Sequence, residues 1–155
     1  MVKTFTTLAL SAISLLAFAQ NKVAYKIFDK EGNESDYGQM LKSATGKQIV
    51  FFGEYHNNAI CHWLQLSLME DLAAAGPLTL GAEMFESDNQ LLINEYLRGA
   101  ISEASFEKEA RLWPNYKTDY KPMVLLAKEK GIPVIATNIP RRYASMVHKL
   151  SLIHI

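Results

Sequence analysis

The sequence predicts an α/β fold with a parallel central sheet and flanking helices. Three observations predict it. Short unbroken apolar runs rich in β-formers occur at residues 48–52 (QIVFF), 78–82 (LTLGA) and 132–136 (IPVIA). Such runs suit strands covered on both faces, as in a parallel sheet. Segments with helical periodicity separate them, and this alternation implies parallel strands joined by right-handed crossovers.

Residues 1–19 stand apart from the fold. Lys3 supplies a positive charge, residues 8–18 form a short apolar run, and Ala17, Phe18 and Ala19 give a small-x-small cleavage pattern. A signal peptide cleaved after Ala19 is therefore expected. The apolar stretch is shorter than the ~20 residues that span a bilayer. The protein is expected to be exported, to the periplasm or as a secreted product. Cys61 is the only cysteine, so no internal disulfide is expected and stability must come from the core.

Within the mature chain, residues 23–28 read as a strand and 29–33 as a turn containing Gly32. Residues 36–44 read as a short helix capped by Ser35 or Asp36. The run at 48–52 leads into Gly53, Glu54, Tyr55 and His56. A long helix then covers 57–75, with Ile60, Trp63, Leu64, Leu68, Leu72 and Ala75 recurring at three and four residues. Asn57 or Asn58 caps it, and Gly76-Pro77 ends it. The next strand runs into Glu83 and Glu86. Helices are predicted at 89–98, 102–111 and 120–130, with an aromatic loop at 113–116. The third strand is followed by a turn at 137–140 and a further helix from Arg141.

The chain of 155 residues has room for one domain. Sixteen basic residues balance sixteen acidic ones, which argues against a general nucleic-acid surface. Residues 150–155 (LSLIHI) match the in-frame translation of a common transposase adapter, so the native sequence is expected to stop near Lys149. The helical pattern there has no cap and no closing strand follows. Residues 20–149 are thus read as the N-terminal part of one domain, with the C-terminal part missing.

Parallel strands deliver the residues after them to one edge of the sheet, where ligands of open α/β folds bind. Here that edge collects Glu54 and His56, then Glu83 and Glu86, then Asn138 and Arg141. Glu54 and His56 lie two apart, so in extended backbone their side chains face the same way. Such a pair can orient an imidazole, bind a metal or serve as a general base. Glu83 follows an apolar strand and is expected to be partly buried, with His56 or Arg141 as its partner. A plain alternative is that Glu54 and Glu83 only accept hydrogen bonds from loop amides. His62 is read either as a further nitrogen ligand or as a buried histidine bonded to a carbonyl. Arg141 opens a helix where the dipole favours anions, so it fits a binder of carboxylate or phosphate groups. Arg142 reads as surface charge. There is no His-Glu-x-x-His, no Gly-x-Ser-x-Gly and no phosphate loop.

Residues 50–65 (VFFGEYHNNAICHWLQ), 81–85 (GAEMF), the 102–114 segment ending in RLWP, and 132–141 (IPVIATNIPR) resemble the ChaN-like haem-binding, iron-regulated proteins. The likeness spans about residues 25–149. It implies an exported haem-binding protein of iron acquisition, with haem held between paired subunits, a tyrosine on the iron, and links to outer-membrane haem-uptake machinery. Tyr116 and Tyr143 are the candidate tyrosines. His56, His62, Glu83, Asn138, Arg141 and Tyr143 are the expected haem-site residues. The absence of a lipidation cysteine departs from lipoprotein members of that family. The Gly-Glu-x-His theme is also similar to a wider superfamily containing erythromycin esterases and Tiki-type metalloproteases. That likeness implies the alternative of a metal-dependent hydrolase, with Glu54, His56 and Glu83 as catalytic residues and Glu54 and His56 on a divalent metal.

Overall fold

The computed structural model describes residues 23–149. The expected signal peptide and the adapter-like segment at 150–155 lie outside the described residues.

The first elements among the described residues form a small antiparallel hairpin of β1 (Ile27–Phe28) and β2 (Glu34–Ser35). The strand expected over 23–28 is thus cut to its last two residues. Asp29 builds the turn by accepting the amides of Glu31 and Asn33 at 3.0 and 2.8 Å, and Gly32 supplies the left-handed residue at φ +86°. Helix α1 (Tyr37–Ala44) follows, its first turn capped by the Asp36 carboxylate accepting from the Gln39 amide at 2.8 Å.

Helix α2 (Ala59–Ala75) is capped by Asn58, whose side chain accepts from the Ile60 and Cys61 amides. Its buried residues are His62, Leu64, Leu68 and Met69. The predicted stripe is therefore rotated: Trp63 is half exposed and packs against Tyr25, with ring centroids 5.7 Å apart. The Tyr37 hydroxyl donates to Asp71 at 2.6 Å and ties α1 to α2.

The main sheet consists of β3 (Leu80–Glu86) and β4 (Val134–Asn138), paired in parallel. Leu80 lies opposite Val134, Gly81 opposite Ile135 and Ala82 opposite Ala136. An irregularity follows, and the pairing resumes at Glu86 and Asn138. The crossover between them carries α3 (Gln90–Leu97), α4 (Glu103–Glu109), a π-helical turn at Tyr116–Tyr120, and α5 (Lys121–Lys130). Ser102 caps α4. Gly131 ends α5 at φ +66°, the left-handed stop that glycine adopts without a Cβ clash. The chain continues into α6 (Arg141–Lys149).

One sheet face is closed and the other open. Ala82, Met84, Val134 and Ala136 are buried against the helices, whereas Gly81, Glu83, Ile135 and Thr137 are exposed. The core gathers Phe85, Ile93, Tyr96, Phe106, Tyr116, Tyr120, Met123 and Val124. Each of its fully buried Phe, Ile, Met and Val side chains contributes about 1.5–3 kcal/mol by burial.

The third expected strand, at 48–52, does not form. No backbone ladder joins that segment to another strand among the described residues. Ile49 and Phe51 are 70% and 94% exposed. β-propensity reflects fit to a pleated, half-buried surface; the run pairs with neither β3 nor β4 and stays irregular. Strand β4 also runs two residues further than predicted, through Thr137 and Asn138.

Candidate functional site

Glu54 is the centre of the first cluster. Its Oε1 accepts from the Tyr120 hydroxyl at 2.5 Å and lies 3.0 Å from Nδ1 of His56. Its Oε2 accepts from the Gln65 side-chain amide at 2.6 Å. The two-residue spacing thus does bring Glu54 and His56 together. The His56 ring stays 60% exposed while Glu54 is nearly enclosed. Trp113 meets the His56 ring edge-on, with centroids 4.8 Å apart.

The loop carrying His56 is held from below. The His56 carbonyl accepts from the Asn115 side chain at 2.6 Å and faces Nε2 of His62 at 3.1 Å. Asn115 also donates to Asp119 at 2.7 Å. His62 is 3% exposed, and its Nδ1 lies 3.0 Å from the Gln65 oxygen. Both of its nitrogens are therefore engaged by protein oxygens. Of the two expectations for His62, the structure supports the buried, carbonyl-bonded one, and a ligand role finds no free nitrogen.

Burial by itself raises the Glu54 carboxyl. The hydrogen bonds from Tyr120, His56 and Gln65, with the nearby His62, outweigh it, and Glu54 titrates below the ordinary glutamate range. The same contact has the opposite effect on its partner: burial, then the Glu54 carboxylate, push the Tyr120 phenol up. A carboxylate depressed in the fold stabilises it above the ordinary glutamate range. That contribution is lost as pH falls through the lower folded value. Glu54→Gln is accordingly expected to cost about 1.5–3 kcal/mol at neutral pH, the scale of a hydrogen bond to a charged group. Urea midpoints of the two proteins should converge as the pH is lowered through the carboxylate range; a gap that persists unchanged in acid would contradict this assignment.

The second cluster sits at the end of β3. Glu86 is 9% exposed. It takes Nε of Arg111 at 3.2 Å and the backbone N–H of Arg141 at 3.0 Å. The first turn of α6 is thus pinned to the strand end by a carboxylate, the sign its dipole favours. Asp88 pairs with both Arg111 and Arg142, and the Arg142 contact leads the effects that hold its carboxyl low. Arg142 is therefore paired, and it also lies over the Tyr143 ring at 4.7 Å. The Arg141 side chain is exposed and has no carboxylate partner among the described residues. Asn138, paired with Glu86 across the ladder, is half-buried.

Two expectations need correction. Glu83 is exposed, on the open sheet face, because side chains alternate along β3 and its neighbours Ala82 and Met84 point into the core. No hydrogen bond or ion pair joins it to Glu54, His56 or Arg141 among the described residues; Glu86 is the buried carboxylate instead. Tyr116 is 3% exposed and packs against Phe85 and Phe106, and burial pushes its phenol up. A protonated phenol inside the core cannot serve as an axial donor, whereas Tyr143 is 44% exposed. Among the described residues, no group of three or more His, Cys, Asp or Glu is arranged to hold a metal ion.

Sequence reasoning missed Tyr120, Asn115, Asp119 and Arg111. Their signal was polar groups spaced at four and five residues inside an aromatic stretch (Asn115, Asp119, Tyr120), read only as a covering loop and a helix start.

Fold and site together define an α/β protein with an anchored imidazole on the loop before α2 and, after β4, an arginine without a carboxylate partner among the described residues. A family model described as "Haem-binding uptake, Tiki superfamily, ChaN" matches residues 40–153, and the chain belongs to this family. The family's description gives it a general haem-binding role, in agreement with the resemblance carried by the motifs. No curated protein and no solved structure matches the chain.

Proposed function

We propose that the chain is an exported, periplasmic or secreted, haem-binding protein of iron acquisition, which takes haem at the carboxyl edge of its sheet. Family membership supports the ligand class. No helix among the described residues is long and apolar enough to cross a membrane. The observation that carries the site is His56, exposed on one side and anchored at Nδ1 by Glu54 at 3.0 Å. Metal-binding histidines characteristically donate their second N–H to a carboxylate or carbonyl, which fixes the ring and raises its basicity.

The residues present suit haem. Bound haem brings an iron that takes an axial donor, an apolar ring, and two propionates that take cations. His56 and Tyr143 are the candidate donors, Tyr143 being the exposed tyrosine of the two expected. Exposed Ile139 offers apolar surface beside Arg141, whose guanidinium would hold a propionate. Asn138 borders the same edge. Haem shared between paired subunits, and transfer to outer-membrane uptake machinery, belong to the same reading. The hydrolase alternative would need Glu83 beside Glu54 and His56, and no observation favours it.

Titration with haemin, followed at the Soret band, tests the proposal. A saturable shift of defined stoichiometry is expected. A folded protein that gives no saturable shift would overturn it.

A further inference from the structure

We infer that Tyr120 is the positioning residue of this site: with Gln65 it fixes the Glu54 carboxylate, so that Glu54 takes the Nδ1 proton of His56 and Nε2 is left as the open nitrogen. The inference rests on the reading of His56 as the residue that faces the ligand.

The geometry supplies one donor to each carboxylate oxygen, from two different elements. Tyr120, at the end of the π-helical turn, donates to Oε1 at 2.5 Å, and Gln65, on α2, donates to Oε2 at 2.6 Å. The last torsion of a glutamate is otherwise broad and nearly two-fold. Two opposed donors remove that freedom. Oε1 has two lone pairs and so accepts Nδ1–H of His56 as well, at 3.0 Å.

Tyr120 itself is immobilised. It is 2% exposed, and its ring is held edge-on by Trp113 and His62 at centroid distances of 5.6 and 4.7 Å. The backbone of His56 is gripped independently, through its carbonyl, by Asn115 and His62. Ring and backbone of an exposed histidine are thus both set by buried and half-buried neighbours. A neutral imidazole carries one N–H, and the partner of that N–H decides which nitrogen keeps its lone pair. Here the partner is Glu54, and Tyr120 decides where Glu54 sits.

The test reads the ring nitrogens of His56 directly, by two-bond proton–nitrogen correlation on protein labelled with nitrogen-15 histidine, at a pH where the ring is neutral. His56→Gln assigns the signals among the four histidines. In the unsubstituted protein Nδ1 should carry the proton and Nε2 should show the shift of a bare nitrogen. Tyr120→Phe keeps the ring packing and removes the hydroxyl; the Nδ1-protonated fraction should fall at least twofold. Gln65→Met should move it in the same direction. Unchanged His56 ring shifts in folded Tyr120→Phe would overturn the inference. Should that variant fail to fold, unchanged shifts in Gln65→Met would overturn it instead. The measurement needs no haem. Shifts that respond as expected, with no saturable haemin binding, would therefore sink the haem reading and leave the positioning role standing.

Discussion

Arg141→Ala is expected to weaken haemin binding by roughly tenfold or more, because one charge-assisted hydrogen bond to a carboxylate is worth about 1.5–3 kcal/mol. The effect should fall on affinity and not on the fold. What Glu86 holds at this position is the backbone N–H, which alanine retains, while the guanidinium is exposed and unpaired among the described residues. Arg142 is the built-in comparison. Its guanidinium is already engaged by Asp88, so Arg142→Ala should weaken haemin binding less than Arg141→Ala, with any residual loss traced to the Tyr143 ring that Arg142 covers. Soret titrations of the two variants at equal ionic strength make the measurement. Equal affinities for Arg141→Ala and the unsubstituted protein would remove the propionate role of Arg141.

Phe106→Ala is expected to cost about 3–5 kcal/mol of stability, the range for truncating a fully buried aromatic ring. Phe106 is 0% exposed on α4. It stacks on Tyr96 with centroids 4.6 Å apart and planes within 10°. It also meets Phe85 and Tyr116 at 6.0 and 6.3 Å. Phe85 belongs to β3 and Tyr116 opens the turn that ends in Tyr120, so this one ring joins the strand to the segment that supplies the site. The substitution should lower the urea midpoint and also loosen His56, read as broadened ring signals in the correlation spectrum. A loss under 1 kcal/mol would mean that the aromatic cluster is not the mainstay of the fold.

Patterns that act over a few residues are legible in the amino-acid sequence. The caps at Asp36 and Asn58, the stops at Gly76 and Gly131, and the turn around Gly32 all lie at or within a residue of where side-chain chemistry and backbone sterics put them. The Glu54–His56 contact is legible too, because extended backbone repeats every two residues. The alternation of strand and helix implies the parallel pairing of β3 with β4.

What composition and periodicity could not decide were the questions of partnership. An apolar run at 48–52 has the same sequence whether or not a neighbouring strand exists to pair with it, and here it stays irregular. The choice between Glu83 and Glu86 as the buried carboxylate depends on which face of β3 the helices cover, and on the irregularity that lets both Phe85 and Glu86 be buried. Tyr120 reaches Glu54 across 66 residues of chain, a contact no local pattern encodes. The sequence by itself determined the main helices, their order and the parallel pair of strands β3 and β4. The tertiary structure alone decided which acids are paired, which histidine is enclosed and which arginine is left open, because burial and hydrogen-bond partnership arise only when distant segments pack together.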